Sequence, residues 1–399
     1  MENNQEEDRY KKGEYIIELG GLYRHLEQIR DLRDPRGVRY YLADVLSLII
    51  LAKLGGEDEV RGIADWLKYR AGQLSKALKL PRESMPHETT IGRILGGAIE
   101  PEELEKQLQS YFDGQVQQSQ EVVITIDGKT LRGTIPTGQT QGIHLLAAYL
   151  PAEGIVLMQV EVSSKENEIV AAPKLLQMID LRDKVVIGDA MHTQRQISID
   201  IVTAQGDYLW IAKDNQAQLK EDIAHLFAPQ ECSPATSPLP TDFERFTDYS
   251  YGHGRYETRT LTTSTMLKDF LDWPYLEQVF KLEYCSVNLV TGKRQTQTHY
   301  GLTSLSASEA SPQRLLALKR RYWAIENRLH YRRDVSLGED RCRLRTGYSP
   351  RIMATLNNLV LALIDRLDFH TLPDARRRFS ANPLEALNLI LLNPYSTLQ

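Results

Sequence analysis

The chain has 399 residues, 42% of them hydrophobic and 25% charged, with a net charge of −5. That balance is ordinary for a globular protein and excludes a disordered or fibrous chain, while the length points to two or three modules. Three scattered cysteines (Cys232, Cys285 and Cys342) lack ligand-like pairing, which argues for reduced thiols in a cytosol and against a disulfide frame or a zinc site.

The opening stretch MENNQEEDRYKKGEY is polar and acidic, without the apolar core of a signal peptide. The most apolar stretch, YYLADVLSLIILAKL, has 15 residues and includes Asp44 and Lys53. Crossing a bilayer takes about 20 apolar residues, so this segment reads as a core helix and the chain as a soluble, cytoplasmic protein with no membrane partner. The Gly pair after it is a plausible C-cap. EDEVRGIADWLKYR then places Val60, Ile63, Ala64 and Leu67 at helical spacing. AGQLSKALKL, closed by Pro81, and HETTIGRILGGAI complete an all-helical region expected over 1–115. Short helices with tight turns suit a helix-turn-helix-like DNA-binding module, or equally a bundle that packs on the next domain.

From about 121 the period changes. EVVITID, HLLAAYL and GIVLMQVEV read as three strands, KENEIVAAPKLLQMI as a helix and KVVIGDA as a fourth strand. TQRQISIDIVTAQG is a helix and DYLWIAKD a fifth strand. This order predicts an α/β core over 116–228, a mixed five-stranded sheet with flanking helices. PQECSPATSPLPT is a Pro/Ser-rich break, followed over 229–310 by a β-rich insertion, and helices resume over 311–399.

VVITIDGKT and DKVVIGDAM each run an apolar strand into an aspartate, Asp127 and Asp189. If the first and fourth strands lie side by side and parallel, both carboxylates emerge at one carboxyl edge, where open α/β sheets gather ligands. Two such carboxylates repel unless a cation sits between them. A strand-end Asp is also a common turn or N-cap residue, and Asp214 of WIAKD is assigned to that role. In PQRLLALKRRYWAIENRLHYRRDV, Leu315, Leu318, Tyr322, Ile325 and Leu329 form a core-facing stripe. Beside it run Lys319, Trp323, Glu326, His330 and Arg333, which put Glu326 at the rim of the buried face; an ordinary salt-bridged helix gives the same pattern. From Arg314 to Arg351 eleven Lys/Arg stand against four Asp/Glu, and ARRRF at 375–379 adds a second basic cluster. Such local patches mark nucleic-acid footprints, or solvated faces. No G-x-x-x-x-G-K-[ST] phosphate loop occurs, which excludes an ATPase of that type.

ITIDGKTLRG, VIGDAMHTQ and YWAIENRLHYRRDVSLGEDRCRLR, in this order, resemble the signatures of bacterial insertion-sequence transposases with a DDE triad. The branch most similar contains the H-repeat-associated proteins of Rhs elements. The resemblance implies an RNase H-like core, with the third acid on a helix after the β-rich insertion. It makes Asp127, Asp189 and Glu326 the catalytic, metal-holding acids for two Mg²⁺ ions, with Mn²⁺ as a substitute. Two ions roughly 3.5–4 Å apart clamp the attacking and leaving oxygens of a phosphoryl displacement. Its partners are double-stranded DNA, as transposon ends and target, and a second copy in a homodimer on DNA. Lys129, Arg132, Arg328, Arg332, Arg333, Arg341, Arg343 and Arg345 are candidates to hold backbone phosphates. His192 and His330 are candidates for the scissile phosphate or flanking strand, or structural imidazoles. Glu339 or Asp340 is a weaker third acid. A domesticated DNA-binding relative and an RNase H-like nuclease acting on branched DNA are the competing readings.

Overall fold

The computed structural model describes residues 21–113, 122–163, 166–229, 241–252, 254–367 and 369–392, and the backbone of 9–12 and 15–18. Cys232 and nearly all of the Pro/Ser-rich break lie outside the described residues; Cys285 and Cys342 are free thiols.

Strands β1 (Arg9–Lys12) and β2 (Tyr15–Glu18) pair antiparallel ahead of the first helix, so the N-terminal region is not all-helical as expected. Ile16 and Ile17 are β-branched and favour extended backbone. Six helices follow: α1 (Leu22–Glu27), α2 (Leu42–Leu54), α3 (Val60–Lys68), α4 (Ala71–Ala77), α5 (Glu88–Gly97) and α6 (Pro101–Asp113). Every residue of α2 is buried, as its uniformly apolar sequence predicts for a core helix. Its two charges are accommodated: the Tyr23 hydroxyl donates to Asp44 at 2.7 Å, and Lys53 pairs with Asp58 at 3.4 Å. Among the described residues no helix is long and apolar enough to cross a membrane.

One mixed sheet of nine strands follows, in the order β5-β4-β3-β6-β7-β11-β10-β9-β8. Its first half is β3 (Val122–Thr130), β4 (His144–Leu150), β5 (Ile155–Val162), β6 (Lys184–Gly188) and β7 (Asp207–Ala212). Helices α7 (Glu168–Leu176) and α8 (Arg195–Thr203) make the crossovers into β6 and β7, and α9 (Ala217–Leu226) packs beyond them. Its second half is the expected insertion, β8 (Glu244–Gly252), β9 (Arg255–Ser264), β10 (Gln278–Asn288) and β11 (Arg294–Thr303). The expectation of a five-stranded sheet with a separate insertion is therefore corrected. β11 pairs antiparallel with β7 from Tyr300↔Ala212 to Thr303↔Leu209 and carries the sheet on. That pairing covers the edge β7 would otherwise expose. It needs Gly301, where a Cβ would lie 2.3 Å from the Trp210 carbonyl oxygen.

Helix α10 (Pro312–Ala324), N-capped by Ser311, lies against β3, β6, β8 and β9. The predicted stripe holds: Leu315, Leu318, Tyr322, Ile325 and Leu329 are all buried. Beyond Ala324 the helix widens into π turns over Ile325–His330 and Arg332–Ser336, where the Tyr331 N–H reaches the Glu326 carbonyl and the Leu337 N–H that of Arg332. Gly338, in the left-handed region at φ 61°, ends it.

Helices α11 (Ser349–Asp365), α12 (Leu372–Ala381) and α13 (Pro383–Leu391) return to the N-terminal helices, α12 and α13 packing on α2 and α13 on α1. α11 also touches β5, and its Arg351 joins the two halves of the fold. Arg351 Nη2 donates to Glu105 Oε2 of α6 at 2.8 Å and to the Gln159 carbonyl of β5 at 3.1 Å. All three groups are buried, so Arg351→Ala strands the Glu105 carboxylate without its cation. We expect a loss of about 3–5 kcal/mol in urea unfolding. The double replacement Arg351→Met/Glu105→Leu should recover most of it.

Candidate active site

Strands β3 and β6 run parallel and in register from Val122↔Lys184 to Ile126↔Gly188. Asp127 and Asp189 follow that last pair, so both carboxylates open at the same edge, as the strand reading required. β3 does not stop at Asp127; it continues to Thr130 because Asp127–Thr130 stay paired with β4. Asp214, in contrast, sits exposed on a short turn and pairs with Lys220, in keeping with a turn role.

Asp127, Asp189 and Glu326 line one cleft of about 440 Å³. Lys213 from the end of β7 and Lys319, Tyr322 and Trp323 from α10 line it too. The insertion contributes Arg259 on β9, Tyr284 on β10, and Gln297 and His299 on β11 to the same lining. Gln297 and His299 are two apart, as are Leu282 and Tyr284, because alternate residues of a strand share a face.

The electrostatics are those of crowded carboxylates. Burial, and then the charges of Glu168, Glu326 and Asp189, push Asp127 up to about 7, against a backbone hydrogen bond from Gly128. Burial also works on Asp189, but the Ala190 N–H and Lys213, whose Nζ is 3.0 Å from Oδ1, outweigh it and hold that carboxyl below its ordinary value. Burial lowers Lys319 to about 8 against the pull of Asp189, leaving an ammonium at neutral pH. Burial and the same three acids raise the Tyr322 hydroxyl far above its usual range, which keeps it protonated. His330 Nδ1 lies 3.5 Å from Asp127 Oδ2. Burial and the nearby Arg333 and Lys129 cations lower His330 to about 3, so it stands beside Asp127 as a neutral ring and not as a cation.

All-oxygen carboxylate donors suit a hard divalent cation, and the raised Asp127 shows the charge deficit such an ion would relieve. As placed, the acids share a cleft but do not close a cage: among the described residues no three His, Cys, Asp or Glu groups stand together closely enough to hold a metal ion.

The expected phosphate-binding residues divide. Arg328, Arg341 and Arg343 are exposed, and Arg132, 77% exposed, lies 3.7 Å from Asp340. Arg332 is committed to Asp365, and Arg345 donates to the carbonyls of Gly133 and Ile135. Three expectations are corrected. Lys129 is buried between Asp334 and Asp340. His192 is fully buried, 3.1 Å from Glu168. Arg333, 1% exposed, is locked on Glu339, which also accepts from Asn357. A uniform 3.6-residue period puts Arg333 on the Glu326 face, but each i→i+5 turn adds a residue and turns the face away. The same contacts remove Glu339 and Asp340 as third acids, since they hold Arg333 and the Lys129/Arg132 pair.

Sequence reasoning missed Lys213, Arg259, Tyr284, His299, His144 and Glu168. Lys213 was within reach, because it follows a strand ending at the same edge. The others depend on which strand pairs with β7 and on what packs behind Asp127.

Fold and cleft thus define a mixed α/β protein with two carboxylates at a sheet edge and a third on a helix, sharing a cleft with lysines and aromatics. A model described as "Transposase DDE domain" matches residues 118–363, and one described as "DDE_Tnp_1-associated" matches residues 23–112. The chain belongs to the transposase DDE domain family. It is 29% identical over 356 residues to "Putative transposase YncI" of Escherichia coli O157:H7, covering 87% of this chain and 88% of that protein. It is 26% identical over 352 residues to "H repeat-associated putative transposase YhhI" of Escherichia coli (strain K12), covering 87% and 91%. Among solved structures, a piggyBac transposase synaptic complex with hairpin DNA aligns over 94% of this chain and 80% of that one, with 10% identity and a TM-score of 0.42. At that distance the likeness says nothing about this chain's site.

Proposed function

We propose that this chain is a DNA transposase that cuts the ends of its element and joins the freed 3′-OH to target DNA. One observation carries this: acids from three motifs far apart in the chain line a single cleft. The half-sheet β5-β4-β3-β6-β7, with β3 central between an antiparallel and a parallel neighbour, supports an RNase H-like core for it. Asp127, Asp189 and Glu326 would hold two Mg²⁺ or Mn²⁺ ions, which supply Lewis-acid charge to the attacking and leaving oxygens. Lys213 and Lys319 place positive charge beside Asp189, where a scissile phosphate would enter. Trp323, partly exposed on the cleft, offers a face for a base or sugar. Arg132, Arg328, Arg341 and Arg343 lie outside the buried pairs and would track the duplex backbone without reading sequence. Joining two ends calls for two copies on DNA, hence a homodimer in the synaptic state. The protonated, buried Tyr322 is not a nucleophile, so water and then the 3′-OH serve in that role.

Purified protein, a duplex bearing the terminal repeats that flank the reading frame, and Mg²⁺ or Mn²⁺ test this. We expect nicked ends and joined products, and a drop of about 10³-fold or more for Asp189→Asn and Glu326→Gln with duplex binding retained. Near-wild-type cutting by either variant removes that residue from the triad. Cleavage without joining favours a nuclease, and no divalent-dependent cleavage favours a domesticated binder.

A further inference from the structure

Behind Asp127, on the side away from the cleft, lies a fourth carboxylate. Glu168 opens α7, whose N-cap is Asn167. Both of its oxygens go to imidazoles: Oε1 is 2.8 Å from His144 Nε2 on β4, and Oε2 is 3.1 Å from His192 Nε2, just past Asp189. The other nitrogen of His144 is 2.8 Å from Thr130 Oγ1. The clamp is tight against the strand. A Cβ at Gly128 would lie 2.1 Å from Glu168 Oε1 and 2.5 Å from His144 Nε2, which explains the glycine next to the first acid.

Resting on the triad reading above, we propose that Glu168, clamped by His144 and His192, is a positioning residue for Asp127 that strengthens divalent-cation binding in the cleft. A glutamate needed only to start a helix would turn to the free N–H groups of the first turn. This one turns to the sheet instead, and two motifs supply an imidazole to hold it: the strand after IDGKT and the stretch GDAMH. With Glu168 fixed behind it and His330 beside it, the Asp127 carboxylate is repelled toward the open cleft. The His144 hydrogen bond, and the His192 imidazole 3.1 Å from the other oxygen, outweigh burial and hold Glu168 down to about 2, so its charge is permanent. Among the charges around Asp127 it is the strongest, ahead of Glu326 and Asp189.

The test is Mn²⁺ binding by the full chain without DNA, followed by calorimetry, together with the unfolding midpoint and end cleavage. Glu168→Gln keeps the shape and loses the charge. We expect its Mn²⁺ dissociation constant to rise about tenfold, the range for residues that orient metal-binding groups without ligating. Cleavage should fall in parallel and recover as Mn²⁺ is raised. Glu168→Asp, which restores the charge with a shorter reach, should fall between the two. Binding within about twofold of wild type in Glu168→Gln, with a native unfolding midpoint, overturns the proposal. If the Gln variant does not fold, Glu168→Asp decides, since an unchanged constant there overturns it equally. Asp127→Asn is the control: if it binds Mn²⁺ like wild type, the triad reading fails, whatever Glu168 does.

Discussion

Asp127→Asn is expected to abolish end cleavage and yet, without divalent cations at pH 8, to make the protein harder to unfold. The catalytic loss follows from removing the most buried acid of the cleft. The gain in stability follows from linkage. Asp127 sits at about 7 in the fold against an ordinary 3.8, so the folded form binds its proton more tightly than the unfolded chain does. That contribution is fully present below about pH 4, where both states are protonated. It is lost as pH rises, because the unfolded carboxyl ionises first, and the loss is complete once pH passes about 7. Moving a carboxyl over that range corresponds to about 4 kcal/mol. Asparagine carries no charge at any pH and escapes the penalty. Urea unfolding in EDTA from pH 4 to 9 should therefore show the variant gaining on wild type by roughly 2–4 kcal/mol at the alkaline end and converging with it near pH 4. Saturating Mn²⁺ should stabilise wild type and leave the variant nearly unmoved. Parallel curves for the two proteins would mean that neither burial nor the neighbouring acids raise Asp127 in the fold.

Arg333→Ala is expected to fail as a folding mutation, despite lying in the middle of the most basic stretch of the chain. Its Nε donates to Glu339 at 3.0 and 2.8 Å, and Asn357 Nδ2 donates to Glu339 Oε1 at 2.7 Å. This buried network joins the end of the helix that carries Glu326 to α11. Deleting the cation leaves Glu339 charged and enclosed, a loss of about 3–5 kcal/mol, and Arg333→Met/Glu339→Leu should restore much of it. The slope of log affinity against log salt for duplex DNA should be unchanged in the refolded double variant. Losing a true phosphate contact would flatten that slope by about one. A well-folded Arg333→Ala protein with a flattened slope would return Arg333 to the DNA surface. Arg341→Ala and Arg343→Ala are the informative contrast, because both side chains are exposed.

The difference between those arginines shows where a linear chain stops being informative. Composition and period made a core helix of α2, strands of VVITI and VVIG, and a buried stripe from Leu315 to Leu329. Each of these is a local matter of side-chain spacing against backbone repeat. The spacing also placed Asp127 and Asp189 at strand ends and Glu326 on the rim of a helix, which was enough, with three motifs in order, to recognise the family. Charge, by contrast, carries no address. Lys129, Arg333 and Arg351 read like Arg341 and Arg343 until the fold buries the first three against carboxylates, half-buried Asp334 and Asp340 for Lys129 and buried Glu339 and Glu105 for the two arginines, and leaves the last two exposed.

What the amino-acid order determined by itself was the set of acids and the elements that carry them, because periodicity and strand ends depend on neighbours a few residues away. Only the tertiary structure decided that the insertion extends the same sheet and walls the cleft, that π turns swing Arg333 inward, and that Glu168 stands behind Asp127. The first and last arise from contacts between segments far apart in the chain, and the π turns are local bonds whose outcome is fixed by Asn357 of α11 on Glu339. In each, backbone pairing, close packing and the need to neutralise buried charge select among arrangements that local sequence leaves equally open.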